Sequence, residues 1–444
     1  MAKSVIWIVG LCFAMVGNVV YGSHMNDKNP KPSSIRQPYR TAYHFQPPKY
    51  WMNDPNGPMY LNGVYHLFYQ YNPYAAVPRN KSWGHSVSYD LVNWIHLEHA
   101  LDPVDPYDFN GCWSGSTTFL SEGKPAILYP GVDTKSRQAQ NLALPKNLSD
   151  PFLREWVKSP RNPLMTPIDG IDQKYFRDPT TAWKGPDGLW RILAGNQMNG
   201  VGTALLYRSR DFVSWSRSKV PLHSSNKTDM WECPDFYPVA INGKIGVDTS
   251  SLDKSNKHVL KASFNHHDYY VLGKYTPKGD KFSVDIDFMN TSSDLRYDCG
   301  KFYASKTFFD SGMKRHILWG WVNESDSESD DIKKSWSGLQ VMSSLREGPD
   351  KTTYGAFINI DLRHEKISLR TLIDHSIIES FGGEGRACIT ARVYPKLAID
   401  NQAYLYAFNN GTFDVTISTL NAWNMKKAQI VSATATKRRK PYLN

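Results

Sequence analysis

The chain has 444 residues, of which 41% are hydrophobic and 21% are charged, with 14 Trp and 25 Tyr. This composition excludes an intrinsically disordered chain, and the length exceeds what one ordinary core supports, so we predict two domains. The net charge is +10. Because lysine and arginine are scattered except at residues 437–440, the charge favours an anionic cell-wall polysaccharide such as pectin as a partner over nucleic acid.

The N-terminus has the pattern of an export signal. Lys3 precedes a mostly apolar run over residues 5–20, and small or polar residues follow. The run is shorter than the ~20 residues that a membrane-spanning helix usually needs, and no comparable run follows it. We predict a signal peptide over residues 1–24 and a secreted protein with no membrane segment after its removal. Six Asn-x-Ser/Thr sequons favour a glycosylated surface: Asn80, Asn147, Asn226, Asn290, Asn323 and Asn410.

Short alternating apolar and polar runs bounded by turn residues predict an all-β fold. A weak internal repeat supports this prediction, because residues 88–94 resemble residues 209–215 and residues 149–156 form a looser copy. The aspartates of these copies are Asp90, Asp150 and Asp211. Such a period, made of short strands, favours a β-propeller of about five units over residues 40–340. A sandwich with coincidental similarity is the alternative.

The pattern changes after residue 340. Residues 370–381 and 403–408 have the pattern of strands in a second β unit, which we place at residues 341–434. The span is short for a two-sheet sandwich, which has ~100 residues in the immunoglobulin type, so we predict a partial β-sandwich. Residues 435–444 are predicted to form a basic C-terminal tail.

Three carboxylates lie beside prolines and aromatic residues: Asp54, Asp178 and Glu232. Any one of them alone is more simply a turn residue, but all three in a Trp-rich chain favour a glycosidase that pairs a nucleophile with an acid/base. No C-x-x-C pair and no zinc-like spacing occurs, so we predict no metal and no cofactor. Cys233 is interpreted as a small buried apolar residue.

Six segments together resemble the plant acid β-fructofuranosidases of glycoside hydrolase family 32: residues 51–57, 83–86, 113–116, 176–179, 231–235 and 369–376. The resemblance implies a five-bladed β-propeller followed by a β-sandwich, and the release of terminal fructose from sucrose or fructans. It implies that Asp54 is the nucleophile, that Glu232 is the acid/base, and that Asp178 stabilises the transition state. Chemistry would require a raised pKa for Glu232. The implied fructose-pocket residues are Trp51, Asn53, Gln70, Trp113, Ser114 and Arg177. For Arg177 and Trp113 a purely structural role is an open alternative.

The sequence departs from the family in two places. Residues 336–340 run almost directly into residues 341–357, where the family has on the order of a hundred more residues, enough for most of one sandwich sheet. This departure predicts a truncated second domain and leaves a second function open, a catalytically defective sucrose- or fructan-binding remnant. The other departure follows residues 257–261, where the stretch 262–268 is short and lacks lysine, as in fructan exohydrolases rather than invertases.

Overall fold

A computed structural model describes residues 39–433 except 169, 227, 242–244, 252, 254, 289–294, 324–326, 342–353, 359, 362 and 395–413. The proposed signal at residues 1–24, the strand expected at residues 403–408 and the basic tail at residues 435–444 lie outside the described residues. The described part is nearly all β, with one α-helix, α1 (Glu328–Lys334), and two short 3-10 turns. Within it, no helix has the length and apolar character needed to cross a membrane.

The first two sheets are antiparallel meanders. The opening hairpin turns through Asn62 and Gly63, both with positive φ, which is the geometry of a two-residue turn that suits twisted strands. The first sheet contains β1 (Tyr50–Leu61), β2 (Val64–Asn72), β3 (Ser82–Ser88) and β4 (Trp94–His96). The second contains β5 (Ser116–Phe119), β6 (Pro125–Val132), β7 (Gln138–Pro145) and β8 (Trp156–Lys158).

Three further sheets follow along the chain. The third contains β9 (Phe176–Arg177), β10 (Trp183–Lys184), β11 (Trp190–Met198), β12 (Val201–Ser209), β13 (Trp215–Arg217) and β14 (His223–Ser225). The fourth contains β15 (Glu232–Val239), β16 (Lys257–Phe264), β17 (His267–Thr276) and β18 (Lys281–Val284). The fifth contains β19 (Phe302–Asp310), β20 (Arg315–Val322) and β22 (Leu339–Val341), while β21 (Trp336–Ser337) pairs with β1 of the first sheet.

These five sheets form a closed ring. Strand β1 contacts β5, the second sheet contacts β9, β11 contacts β15, β15 contacts β19, and β19 returns to β1. Apolar clusters fill the spaces between neighbouring sheets; one of them joins Trp183 and Leu206 of the third sheet to Phe236 and Leu260 of the fourth. Since a ring of this kind leaves only short sheet edges, the architecture is the predicted five-bladed β-propeller.

The ring closes through the segment that follows α1. Tyr50 and Trp51 of β1 pair in parallel with Trp336 and Ser337 of β21, and the next strand, β22, returns to the fifth sheet. Gly338 connects the two strands with a φ of 81°, and a Cβ at this position would lie 1.7 Å from the carbonyl oxygen of Met52. Only glycine therefore fits where the last sheet is fastened to the first.

The internal repeat corresponds to one recurring turn. Asp90 accepts the backbone N–H groups of Val92 and Asn93 between β3 and β4. Asp211 makes the equivalent bonds between β12 and β13, and Asp150 caps the turn between β7 and β8. The repeat therefore marks the turn before the outermost strand of each of the first three blades.

A sixth sheet follows the propeller. It contains β23 (Leu369–Asp374), β24 (Ile377–Gly382) and β25 (Ala387–Arg392). Leu369 and Ile373 lie on one face of β23 and are 52% and 49% exposed. Strand β26 (Ile430–Ser432) falls in the range assigned to the sandwich by sequence, yet it pairs in parallel with β4 at the outer edge of the first blade.

The sixth sheet is fastened to the propeller by a buried charged contact. Asp374 accepts the backbone N–H groups of Ala42, Tyr43 and His44 and also contacts the His44 ring at 2.9 Å. The other ring nitrogen of His44 lies 2.9 Å from Glu379. Burial opposes the charge on His44, but the two carboxylates outweigh it and raise the pKa of His44 above its ordinary 6.5. The protonated imidazole therefore links the N-terminal segment to the sixth sheet.

Replacing His44 with glutamine is expected to destabilise the chain more at pH 5 than at pH 9. A histidine whose pKa is raised in the folded state stabilises the fold fully at pH values below its unfolded-state pKa. This stabilisation is lost as the pH rises through the folded-state pKa. Breaking a buried pair of this kind costs about 3 kcal/mol. Thermal unfolding at both pH values measures the effect, and His99→Gln, which removes an exposed histidine beside Asp102, is the control. An equal loss at the two pH values would contradict a charged His44.

Candidate active site

The three predicted carboxylates come from three different blades. Asp54 lies in β1 of the first blade, Asp178 directly follows β9 of the third, and Glu232 begins β15 of the fourth. Strands β1, β9 and β15 each contact a strand of a neighbouring sheet in the ring. Residues distant in sequence thus meet at one place.

Asp54 is oriented by two neighbours. Its Oδ2 accepts the Ser114 hydroxyl at 2.5 Å, and its Oδ1 accepts the Asn53 amide at 2.9 Å. The Asn53 side chain is fixed in turn, because Trp51 Nε1 donates to its Oδ1 at 2.8 Å. The carboxylate therefore has a set direction within a frame of hydrogen-bond donors.

Asp178 is held through Cys233. The Cys233 backbone N–H donates to Asp178 Oδ2 at 2.8 Å, and the Cys233 thiol lies 3.5 Å from Asp54 Oδ2. Both Asp178 and Cys233 adopt positive φ, at 60° and 43°. Since Cys233 directly follows Glu232, this one residue touches or adjoins all three carboxylates. The sequence analysis assigned Cys233 only a packing role.

Glu232 is partly open to solvent, with a side chain 36% exposed. Its Oε1 accepts Arg177 Nη2 at 2.8 Å, and its Oε2 accepts the Tyr303 hydroxyl at 2.6 Å. Burial raises the pKa of Glu232, but the charge of Arg177 and the Tyr303 bond outweigh it, so the net pKa is lowered. The raised pKa expected from the sequence is therefore wrong for this arrangement, because Arg177 stabilises the ionised carboxyl.

Asp178 has the opposite shift. Its side chain is buried, and burial together with the nearby negative charges of Glu232 and Asp54 raises its pKa to about 6, against the opposing effects of Arg177 and the Cys233 N–H. Arg177 Nε lies 3.9 Å from Asp178 Oδ2. Arg177 therefore contacts both carboxylates, with a hydrogen bond to Glu232 at 2.8 Å and a longer contact to Asp178.

The raised pKa of Asp178 predicts that the protein loses stability between pH 4 and pH 6. A folded state that binds this proton more tightly than the unfolded chain becomes less stable as pH rises from the ordinary aspartate value to about 6. The shift corresponds to about 3 kcal/mol. Asp178→Asn should remove this part of the pH dependence and be more stable than the parent at pH 7 by urea unfolding. If the free energies of unfolding of the two proteins changed with pH in the same way, Asp178 would be shown to ionise in the folded state at no cost in stability.

The two remaining predicted pocket residues, Trp113 and Gln70, lie in different surroundings. The Trp113 ring lies between two cations, with Lys81 Nζ 5.5 Å and Arg177 Cζ 5.6 Å from its centroid. It is thus next to the Arg177–Glu232 pair. Gln70, by contrast, has no exposed surface and donates to the carbonyl of Cys112 at 3.0 Å. Gln70 therefore lies in the packed interior of the first blade.

Two features were not found from the sequence. Tyr303 contacts Glu232 from β19, 71 positions away, with no local motif to mark it. Asp235, although part of the Glu232 motif, accepts the N–H and the hydroxyl of Thr307, both at 2.7 Å, and so fastens β15 to β19. Among the described residues, no group of three or more His, Cys, Asp or Glu is arranged to hold a metal ion.

The chain is similar to known proteins over most of its length. Residues 44–347 match the glycosyl hydrolases family 32 N-terminal domain. The chain is 42% identical to the insoluble β-fructofuranosidase isoenzyme CWINV1 of Arabidopsis thaliana, over 93% of this chain and 94% of the relative. It is also 42% identical to a fructan 6-exohydrolase of Beta vulgaris, over 88% of each.

A solved structure extends the likeness to the whole fold. Fructan 1-exohydrolase IIa of Cichorium intybus superposes with a TM-score of 0.86 at 43% identity, covering 90% of this chain and 99% of that one. The alignment with CWINV1 runs over 553 positions, more than the 444 residues of this chain. That relative therefore has segments with no counterpart in this chain. The chain belongs to glycosyl hydrolase family 32, in the group that includes plant cell-wall β-fructofuranosidases and fructan exohydrolases.

Proposed function

We propose that this chain is a secreted, retaining glycoside hydrolase that releases terminal fructose from sucrose or fructans. The observation that carries the proposal is the junction at Cys233, which brings Asp54, Asp178 and Glu232 from three blades into one cluster. Relatives are named β-fructofuranosidases and fructan exohydrolases, and a chicory relative was solved with 1-kestose.

The proposed reaction has two displacements. Asp54 attacks the anomeric carbon of the terminal fructosyl unit, while Glu232 donates its proton to the leaving oxygen as the glycosidic bond breaks. Glu232 then accepts a proton from water, which displaces Asp54 from the fructosyl ester and restores both groups. Retention requires the two carboxyls to lie about 5–5.5 Å apart. Asp178 would stabilise the positive charge that develops on the sugar ring.

The lowered pKa of Glu232 has a consequence for the first step. Glu232 must be protonated to act as the acid, and the Arg177 contact opposes this state. The same contact favours the ionised form that acts as a base in the second step. Activity is therefore expected to rise towards acidic pH, and a hydroxyl of the bound sugar that draws Arg177 away from Glu232 would assist protonation.

Secretion to the cell wall fits three observations. Relatives are named insoluble or cell-wall isoenzymes. The sequon asparagines Asn80, Asn147 and Asn226 are exposed. The net charge of +10 favours an anionic polysaccharide. Retention on a polygalacturonate column that disappears with added salt would support this partner, and passage through the column at low salt would contradict it.

The stretch 262–268, which lacks lysine as in fructan exohydrolases, favours fructans over sucrose. Asn265 and His266 form a two-residue turn between β16 and β17, both with positive φ. The nearby acid, Asp268, is buried and accepts from Ser263 and the backbone of Ala304 and Ser305. Its carboxylate is thus occupied within the fold. We expect a higher kcat/KM on 1-kestose or inulin than on sucrose.

The alternative is a catalytically defective remnant that binds sucrose or fructan. The segments of CWINV1 that have no counterpart in this chain favour this alternative. Purified full-length protein assayed on sucrose, 1-kestose, inulin and levan separates the two functions. NMR of the first-formed fructose supports retention if the β anomer is released, and inversion if the α anomer is released. Saturable binding of 1-kestose with no turnover on any substrate would instead identify the remnant.

A further inference from the structure

Two fully buried lysines lie on the far side of the junction that holds the three carboxylates. Lys261 on β16 has no exposed surface, and Lys306 on β19 is 1% exposed. Lysine is rarely buried this completely, because removing an ammonium from water costs several kcal/mol unless partners compensate. The partners of both lysines include backbone groups that follow Glu232.

The backbone there is irregular. The pairing of β15 with β16 shifts between Glu232 and Asp235, and Cys233 has a φ of 43°. Pro234 has no N–H group. A bulge of this kind leaves carbonyl groups outside the strand ladder, and buried carbonyls need donors.

The two lysines supply those donors. Lys261 Nζ donates to the carbonyl of Cys233 at 3.0 Å, and Lys306 Nζ donates to the carbonyl of Pro234 at 2.9 Å. Cys233 thus has its carbonyl held by Lys261, while its N–H holds Asp178 and its thiol lies against Asp54.

The same group of residues fixes a second bulge. The pairing of β19 with β20 shifts between Tyr303 and Lys306, and Lys261 also donates to the carbonyl of Ser305 at 2.7 Å. Asp268, 3.5 Å from Lys261, accepts the N–H groups of Ala304 and Ser305. This bulge adjoins Tyr303, whose hydroxyl contacts Glu232.

The charges of the lysines also have a role. Lys261 has a carboxylate partner in Asp268, whereas Lys306 makes no ion pair within 4.0 Å among the residues that the structure describes. Burial lowers the pKa of Lys306, and Asp235 and Asp178 oppose this effect. The charge on Lys306 therefore depends on the acidic groups of the site, and it offsets their mutual repulsion.

We infer that Lys261 and Lys306 are positioning residues for the proposed reaction, which hold the Cys233–Pro234 bulge so that Glu232 and Asp178 face Asp54. The inference rests on the proposed function for its effect on turnover. The alignment of the acid/base is thereby assigned to two fully buried side chains.

The direct test measures the pKa of Asp178 in Lys306→Met, which keeps the side-chain length but removes the donor and the charge. Carbon-13 NMR of labelled aspartate carboxyls, assigned with Asp178→Asn, reports this pKa without any activity. We expect it to rise by about one pH unit above the parent value. Lys158→Met, which removes a mostly buried lysine paired with Asp105 and Asp108, should leave it unchanged. A folded Lys306→Met protein with the parental Asp178 pKa would overturn the inference.

A second measurement uses the leaving group. If Lys306 acts through the acid Glu232, kcat on inulin should fall about 10²-fold in Lys306→Met, with KM changed less than about threefold. A nitrophenyl fructoside, whose leaving group needs little protonation, should lose less than about fivefold. Equal losses on both substrates would show a purely structural role. A parent inactive on every fructoside would refute the proposed function, while the Asp178 pKa would still decide the role of the lysines.

Lys306→Gln covers the case in which the methionine variant fails to fold. Glutamine can still donate to the carbonyl of Pro234 but carries no charge. We expect the Asp178 pKa to rise as in Lys306→Met and kcat to stay within about fivefold of the parent. An unchanged Asp178 pKa in this variant would also overturn the inference.

Discussion

Replacing Asp54 with alanine is expected to lower kcat on inulin or sucrose by about 10⁴-fold or more, because the variant has no group to form the covalent intermediate. The fold should survive, since among the residues that the structure describes Asp54 bonds only to Asn53, Ser114 and Cys233, and other contacts hold the ring together. Steady-state kinetics and thermal unfolding of the same preparation measure the two effects.

Glu232→Gln is expected to show a loss that depends on the leaving group. Turnover of inulin should fall about 10²–10⁴-fold, which is the usual contribution of a general acid, and turnover of a nitrophenyl fructoside should fall much less. Glu155→Gln is the matched control, because Glu155 is exposed and pairs with Lys146 at the surface. Near-parental activity of Asp54→Ala or Glu232→Gln on every fructoside would show that the roles are assigned wrongly.

Inserting after residue 340 the segment that the family resemblance predicts there is expected to raise the melting temperature by about 5 °C or more. In the present chain, Leu369 and Ile373 share one face of β23 and are about half exposed. Covering such side chains contributes about 1 kcal/mol each, and a domain of this size gains about 2–4 °C per kcal/mol. Uncovered apolar faces also favour aggregation, so the restored protein should give a cleaner monomer in size-exclusion chromatography.

A substitution on the same face sharpens this comparison. Ile373→Lys should leave the stability of the present chain nearly unchanged and improve its solubility, since the side chain is half exposed. In the restored protein the same change would bury an unpaired charge and be strongly destabilising. Equal melting temperatures and an equally clean monomer for the short and restored forms would show that the present strands already close a complete domain.

The propeller was predictable because its repeat has a local cause. Asp90 and Asp211 cap the same turn with the same backbone bonds, and Trp94 and Trp215 each donate to a carbonyl three residues earlier. Such bonds span only a few residues, so the sequence carries them directly. By contrast, the pairing of β26 with β4 joins residues more than three hundred positions apart, and no pattern in either strand indicates its partner.

The candidate active site shows the same contrast between local features and contacts between distant strands. Asp54, Asp178 and Glu232 were found because each lies in a short motif with proline and aromatic residues. Tyr303 and Lys306 were missed, since each reaches the site from another strand of the ring. The direction of the Glu232 pKa shift also depends on contacts across blades, and burial alone suggested the wrong sign.

Mass spectrometry of the enzyme quenched during turnover shows directly whether Asp54 is the nucleophile of a retaining reaction. The Glu232→Gln variant, supplied with a nitrophenyl fructoside, should accumulate a fructosyl ester because the base for its hydrolysis is absent. Digestion should place the added fructosyl mass on the peptide that contains Asp54. A label on a different peptide, or turnover with the α anomer of fructose released first and no labelled peptide, would contradict a retaining mechanism with Asp54 as the nucleophile.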